Sequence, residues 1–313
     1  MASASDFSAS LIEELRRAIA ERGIEPPPSD DTAERFVPSA RVPAEFAEIA
    51  GRALPSAPEA VAVDVYGTLL ASAMGEIGPG SAWEGESPGD PDDTYRDIFP
   101  RDMADRLHGL VADIHERERA RGIPWPEVDA PAMFAQALGL GLEDGARACV
   151  AWECSNNRCS AMSGAAAFLA ECAGRGLPLG IVSNAQFYTP LFLEAAFGAA
   201  LFGPGTESAP SLGFDPGLAL WSYETRRAKP DRWMFEELAR RLASRGIPAD
   251  RILYVGNDAL NDCAAAGEAG MMTALFCGDA RSCKPRAREA RVSACPPDTL
   301  VKSWDDLRRL VCT

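Results

Sequence analysis

Four short apolar runs in this chain each stop at a residue able to take part in bond making. Ala60-Val-Ala-Val-Asp64 ends in a carboxylate and breaks at Gly67-Thr68. Leu177-Pro-Leu-Gly-Ile-Val-Ser183 ends in a hydroxyl followed by the amide of Asn184. Leu218-Ala-Leu-Trp-Ser-Tyr223 leads to Lys229-Pro-Asp231, and Ile252-Leu-Tyr-Val-Gly256 leads to Asn257, Asp258 and then Asp262. A carboxylate nucleophile, a hydrogen-bonding hydroxyl, a fixed cation and metal-binding acids are what nucleophilic transfer from a phosphoester requires. Taken singly, each run is also compatible with a strand and an ordinary turn or helix cap. Their order along the chain is what carries the chemistry.

The elements that must position these residues follow from periodicity. Helical patterns over 163–175, 189–197, 231–245 and 261–269 alternate with apolar runs at 177–183, 218–223, 251–257 and 272–277. Near-continuous apolar strands alternating with helices indicate a parallel sheet covered on both faces. Ligands of such open sheets bind at the carboxyl ends of the strands, where all four runs stop. Between the first strand and the Ser183 strand the pattern is helical. Met103, Leu107, Leu110, Val111 and Ile114 share one face, and Pro131 to Leu140 suggests a second helix. Segment 75–93 is rich in Gly, Pro, Ser and acid and reads as a loop leaving the core. At the N-terminus, Ser10 and Glu13 offer a capping box for a helix with Leu11, Leu15 and Ile19 on one face. Glu25 to Asp31 reads as an extended linker, and the arm is expected to pack outside the core. The expected organisation is an arm and linker over 1–55, an α/β core from 56–75 and 161–313, and a helical cap over 76–160.

A net charge of −15 over 313 residues disfavours nucleic acid and anionic membrane as partners. No apolar run approaches the length that spans a bilayer, and residues 1–30 lack a basic-then-apolar signal pattern. Nine cysteines without a framework spacing read as reduced thiols, which points to the cytoplasm. Cys149, Cys154 and Cys159 recur every five residues, a spacing looser than thiolate zinc sites use. His108 and His115, the only histidines, fall on the first insert helix and read as a solvated face. The expected partner is a small-molecule substrate, with the chain a monomer or homodimer.

The four motifs and their spacing, over roughly residues 58 to 280, resemble the haloacid dehalogenase-like (HAD) hydrolase superfamily. Asp64-Val-Tyr-Gly-Thr-Leu69 is similar to the first motif of its haloacid dehalogenases. Ser183-Asn-Ala-Gln-Phe-Tyr-Thr-Pro190 and Tyr254-Val-Gly-Asn-Asp258 are similar to a little-characterised hydrolase branch. The resemblance implies a Rossmann-like parallel sheet with a helical cap inserted after the first core strand. It makes Asp64 the nucleophile, with Ser183, the amides after it and Lys229 holding a transferring phosphoryl group. Thr68 and Asn184 would contact substrate. Mg²⁺ would be held by Asp64, the Tyr66 carbonyl and Asp258, with Asp262 and Asn257 beside them.

Two departures pull in opposite directions. The superfamily's phosphatases carry a second aspartate two residues after the nucleophile as general acid and base, and here that residue is Tyr66. A phenol is poorly matched to proton transfer at neutral pH. Its dehalogenases have tyrosine there, because a halide leaves unprotonated. They also carry Ser and Asn where this chain has Asn257 and Ala259, and a tyrosine where it has Phe235. No arginine shortly after Leu70 is available to grip a substrate carboxylate. The sequence therefore favours a Mg²⁺-dependent phosphatase of small esters, with a 2-haloacid dehalogenase as the alternative. A catalytically weak binding or regulatory protein is the third reading.

Overall fold

The computed structural model describes residues 7–25, 42–72, 99–206 and 208–312. The proline-rich stretch after Glu25 and the segment 75–93 lie outside the described residues. Along the chain come α1 (Ala9–Ala18), β1 (Ala60–Val63) and β2 (Leu70–Ser72). The insert follows, with α2 (Met103–Ala120), α3 (Ala130–Leu138) and α4 (Leu142–Asn156), and β3 (Cys159–Ala161) closes it. Next are α5 (Ala165–Gly174), β4 (Leu179–Ser183), α6 (Thr189–Phe197), β5 (Ala200–Phe202), β6 (Ser211–Phe214) and β7 (Ala219–Trp221). The chain finishes with α7 (Trp233–Ala243), β8 (Ile252–Gly256), β9 (Met272–Phe276), β10 (Thr299–Val301) and α8 (Trp304–Val311).

Six strands form one parallel sheet in the order β10-β9-β8-β1-β4-β7. Its strands are buried along their length and mostly apolar because both faces of the sheet are covered. Val61 and Val63 enter one core together with Ile181, Leu253 and Val255. Ala60 and Ala62 enter the core on the other face with Val182, Ile252 and Tyr254. A period of two inside each strand thus serves two hydrophobic layers. The expected third strand is shorter than the sequence suggested, since after Trp221 the chain turns into a single helical turn, Ser222–Thr225. The helix expected over 261–269 begins with a wider π turn, Ala259–Ala264.

Helices α2, α3 and α4 occupy the insert after the first core strand. Met103 and Leu107 are buried, and Leu110, Val111 and Ile114 pack against the same core. Chain exit and return are made by β2 and β3, an antiparallel pair with Leu70 opposite Ala161. Neither strand is evident in the sequence, because each is only three residues long. Cys149 and Cys154 lie on α4 and Cys159 on β3, all three buried. All nine thiols are free. Among the described residues no helix is long and apolar enough to cross a membrane.

One expectation about the arm is overturned. Leu11, Leu15 and Ile19 are almost wholly buried, in the same core as Val61 and Val63. Helix α1 is therefore part of the core and does not pack outside it. Its cap also differs: Ser8, not Ser10, accepts the Leu11 N–H at 3.2 Å. Leu15→Ala should lower the unfolding free energy by about 2–4 kcal/mol, the range for a fully buried leucine. Urea denaturation measures this, and a change within about 0.5 kcal/mol would mean that the arm is dispensable.

Candidate active site

At the carboxyl edge of the sheet β1 lies between β4 and β8, so the residues that end these three strands are neighbours. Asp64 follows β1 directly and Ser183 ends β4. Lys229 arrives from the loop after β7, and Asn184 holds that loop in place. The Asn184 Oδ1 accepts the Lys229 backbone N–H at 2.7 Å, and its Nδ2 donates to the Lys229 carbonyl at 3.2 Å. Asn184 is thus a positioning residue, where the sequence suggested a substrate contact. The Lys229 Nζ lies 2.7 Å from Asp64 Oδ1 and 2.6 Å from Asp262 Oδ1, and donates to the Tyr254 hydroxyl at 3.3 Å. Tyr254 in turn donates to the Val182 carbonyl at 2.6 Å. Asp262 can sit this close to the strand because residue 256 is glycine. A Cβ there would lie 2.3 Å from the Asp262 carboxyl carbon.

All members of this cluster are buried, so desolvation and the neighbouring charges compete at Asp64 and Lys229. Burial raises the Asp64 pKa to about 6; Lys229 opposes the rise, and the nearby Asp262 adds to it. Burial alone would depress the Lys229 ammonium, but Asp262 and Asp64 outweigh it and hold its pKa above the usual lysine value. One cation thus serves two carboxylates. Near neutral pH Asp64 is ionised and poorly solvated, held by Lys229 on Oδ1 and by a hydrogen bond from the Ser183 hydroxyl.

The residues expected to bind a metal are less convergent. Both Asp258 oxygens are already bonded. Oδ1 accepts the Leu260 and Asn261 N–H groups as a helix cap, and Oδ2 takes the Arg286 guanidinium through two nitrogens at 2.9 Å. Asp262 has one oxygen on Lys229, and its other oxygen accepts the Asp258 N–H at 2.9 Å. Asn257 is the neighbour that turns toward the first motif. Its Oδ1 faces the Thr68 hydroxyl at 3.4 Å, and its Nδ2 donates to the Ser282 carbonyl. Gly67, with φ at +79°, leaves that amide its space, since a Cβ there would meet Asn257 Nδ2 at 2.4 Å. Mg²⁺ favours an octahedral oxygen shell that includes one or two carboxylates. Here both oxygens of Asp258 and of Asp262 are engaged by protein groups, and Asp64 is bonded by Lys229 and Ser183. Among the described residues no group of three His, Cys, Asp or Glu side chains is arranged to hold a metal. As folded, the donor set does not fit Mg²⁺.

The expected phosphate cradle differs as well. The Ala185 N–H is bonded to Ser222 Oγ at 2.8 Å and the Gln186 N–H to Thr189 Oγ1 at 3.2 Å. The Ala185 and Gln186 amides are therefore engaged internally. Thr68 is fully buried, and its carbonyl accepts the Trp304 indole N–H at 3.1 Å. Tyr66 points away from any proton-transfer role. Its hydroxyl lies 3.1 Å from Thr189 Oγ1, and burial holds its pKa well above the usual phenol value.

Beside the cluster, between the insert and the strand ends, lies a cavity of about 240 Å³ reached by Asn184 and Gln186. His108 and His115 line it, so the histidine face of α2 is turned inward and is not the solvated face expected. Burial, with Arg119 nearby, lowers the His115 pKa. Two further lining residues, Glu127 and Glu153, were missed in the sequence. Glu153 has a detectable signal, since Ala146, Cys149, Val150 and Glu153 form one buried face of α4. A glutamate at a core position of an apolar stripe marks a site.

Comparison with known proteins shows the family of this chain. A family model described as haloacid dehalogenase-like hydrolase matches residues 58–270. No curated protein matches the chain significantly. Among solved structures, a 2-haloacid dehalogenase from Pseudomonas syringae pv. Tomato is 16% identical. The match covers 82% of this chain and 98% of that one, with a TM-score of 0.49. A putative hydrolase from Bacillus subtilis, described as bound to magnesium, is 14% identical with a TM-score of 0.45. That match covers 82% of this chain and all of the other. A third, from Deinococcus radiodurans with bound phosphate and sodium, is 20% identical over 82% and 96% of the two chains, at 0.43.

The Asp64 shift has a stability signature. The unfolded chain releases this proton near pH 4 and the folded chain near 6, so between them the folded state binds more protons. Its contribution to stability is present at acid pH and is lost as pH rises through about 6. Relative to the parent, Asp64→Asn should gain on the order of 2 kcal/mol between about pH 4.5 and pH 7.5, read from urea midpoints. A relative stability that stays flat or falls would show that Asp64 is already charged at acid pH.

Proposed function

Because the chain belongs to the haloacid dehalogenase-like hydrolases, we propose that Asp64 displaces a leaving group from a small organic substrate, with attack at carbon and departure of halide the reading its site fits best. In the first step the Asp64 carboxylate forms a C–O bond while the carbon–halogen bond breaks, giving an aspartyl ester and halide. Water then adds to the carboxyl carbon of that ester. The alkoxide leaves as the alcohol by taking one proton of the attacking water, the other proton is released to solvent and the carboxylate returns. Desolvation of Asp64 strengthens it as a nucleophile. Lys229 orients it from one side and stabilises negative charge on the same oxygen when water adds. Asp262 and Tyr254 position Lys229. The helical insert, read as a cap over 76–160, keeps bulk water from the ester.

Tyr66 carries this reading. An alkoxide leaving group needs an acid beside the nucleophile, and the residue there is a phenol held protonated by burial. Halide needs none. Charge points the same way. Asp64 and Asp262 share the ammonium of Lys229, so an incoming phosphate would meet two carboxylates at that one cation. A phosphatase is the second reading, supported by the fixed cation beside Asp64 and by the magnesium chemistry common in the superfamily. For it, Asp258 would have to leave Arg286.

The test is a panel of halogenated alkanes, amides and acids together with aryl, acyl and alkyl phosphates, each with excess Mg²⁺ and with a chelator. Halide release insensitive to the chelator is expected, and Asp64→Asn should lower it on the order of a thousandfold or more. Phosphate release that requires Mg²⁺, without halide release, would establish the second reading. In that event Tyr66→Asp should speed alkyl phosphates more than aryl phosphates.

A further inference from the structure

The cavity beside Asn184 carries two carboxylates, and their surroundings define what it can receive. Glu153 is 5% exposed. Its Oε1 accepts the Asn157 amide at 2.7 Å and its Oε2 accepts the Tyr188 hydroxyl at 3.1 Å. Glu127 accepts from the Val128 N–H and Gln186 Nε2 on one oxygen and from Ser222 Oγ at 2.6 Å on the other. Among the described residues neither glutamate has an ion-pair partner. Arg226, the cation acting on Glu127 from a distance, is itself bound to Asp129 at 2.6 Å. A buried carboxylate normally has a counter-charge, and hydrogen bonds from neutral donors compensate it only partly. Each carboxylate can accept about four hydrogen bonds, so both retain acceptor capacity toward the cavity.

Met133, Phe134 and Trp152 give the rest of the wall apolar and aromatic area, and His108 and His115 add two imidazoles, the second kept neutral by the burial that lowers its pKa. The cavity volume of about 240 Å³ exceeds the roughly 150 Å³ that accommodates a benzene ring. One ring or branched chain therefore fits with room for a short polar end. The electron-rich faces of aromatic rings also favour a cation over an anion.

We propose that this cavity binds the organic part of the substrate as a cation: a small aromatic or branched aliphatic group bearing a protonated amine, paired with Glu153 and drawn by Glu127. The inference rests on the reading of Asp64 as nucleophile, because Asn184, which follows Ser183 and holds the backbone of Lys229, also lines the cavity. The connection is structural. Tyr66 reaches Thr189 at the start of α6, and the adjacent Tyr188 reaches Glu153. A 2-haloacid would bring its own carboxylate against both glutamates, so the acid is the wrong charge for this pocket. Burial holds the Glu153 pKa at about 7, and a bound ammonium would lower it.

The experiment is calorimetric titration of the full chain, and of Asp64→Asn, with three unreactive probes of similar shape at about pH 8: 2-phenylethylammonium, 2-phenylethanol and phenylacetate. The ammonium should bind about tenfold or more tightly than the alcohol in both proteins, and phenylacetate should bind least. Glu153→Gln should remove about tenfold of the ammonium preference and leave the alcohol's affinity unchanged. Equal or tighter binding of the alcohol, tightest binding of phenylacetate, or no binding of any probe would overturn the proposal. So would a Glu153→Gln variant with the full ammonium preference. The comparison of probes on the parent chain stands even where that variant fails to fold. Loss of the proposed hydrolysis would leave these titrations unchanged, so the two readings fail separately.

Discussion

The ammonium of Lys229, buried between Asp64 and Asp262, is the interaction around which the rest of the site is arranged. Two carboxylates so close together in the protein interior could not both stay ionised without it. Removing one partner of a buried ion pair leaves an uncompensated charge, typically at a cost of about 3–5 kcal/mol. The surrounding contacts follow from that constraint. Asn184 fixes the lysine's backbone, Tyr254 bridges the lysine to β4, and Gly256 clears space for Asp262. These residues come from four strand ends that only a parallel sheet brings to one edge.

Most of this framework was legible in the sequence because its causes are local. A buried strand on a two-sided sheet must be apolar along its length, and a polar residue at its end marks the sheet edge. Asp64, Ser183 and Asn257 could be placed for that reason, and Lys229 and Asp262 by their distance from those ends. Less legible were the partners of each polar atom. Arg286, which takes the Asp258 carboxylate, lies 28 residues further along in a loop without periodicity. The engagement of the Ala185 and Gln186 amides depends on Ser222 and Thr189, whose hydroxyls are ordinary in sequence. The placement of α1 in the core was also hidden, since an amphipathic helix shows that it has an apolar face but not what the face covers.

Those unreadable details are the ones that move the chemistry. Sequence alone weighted Asp258 toward a metal and the amides toward a phosphate. With Asp258 on Arg286 and the Ala185 and Gln186 amides engaged, what remains is a desolvated carboxylate, the Ser183 hydroxyl bonded to it and a single shared cation. Tyr66, anomalous for a phosphatase, is consistent with that simpler set. A site with one nucleophile, one cation and no acid is suited to a leaving group that is stable as an anion.

The most direct test is a single turnover in H₂¹⁸O with enzyme in excess over a halogenated substrate, followed by mass analysis of the peptide that carries Asp64. Displacement at carbon by Asp64 predicts one ¹⁸O in that carboxylate, because water cleaves the ester at its acyl carbon, and an alcohol product free of label. Label found only in the product, with Asp64 unchanged, would contradict the account and show that water attacks the substrate without a covalent intermediate.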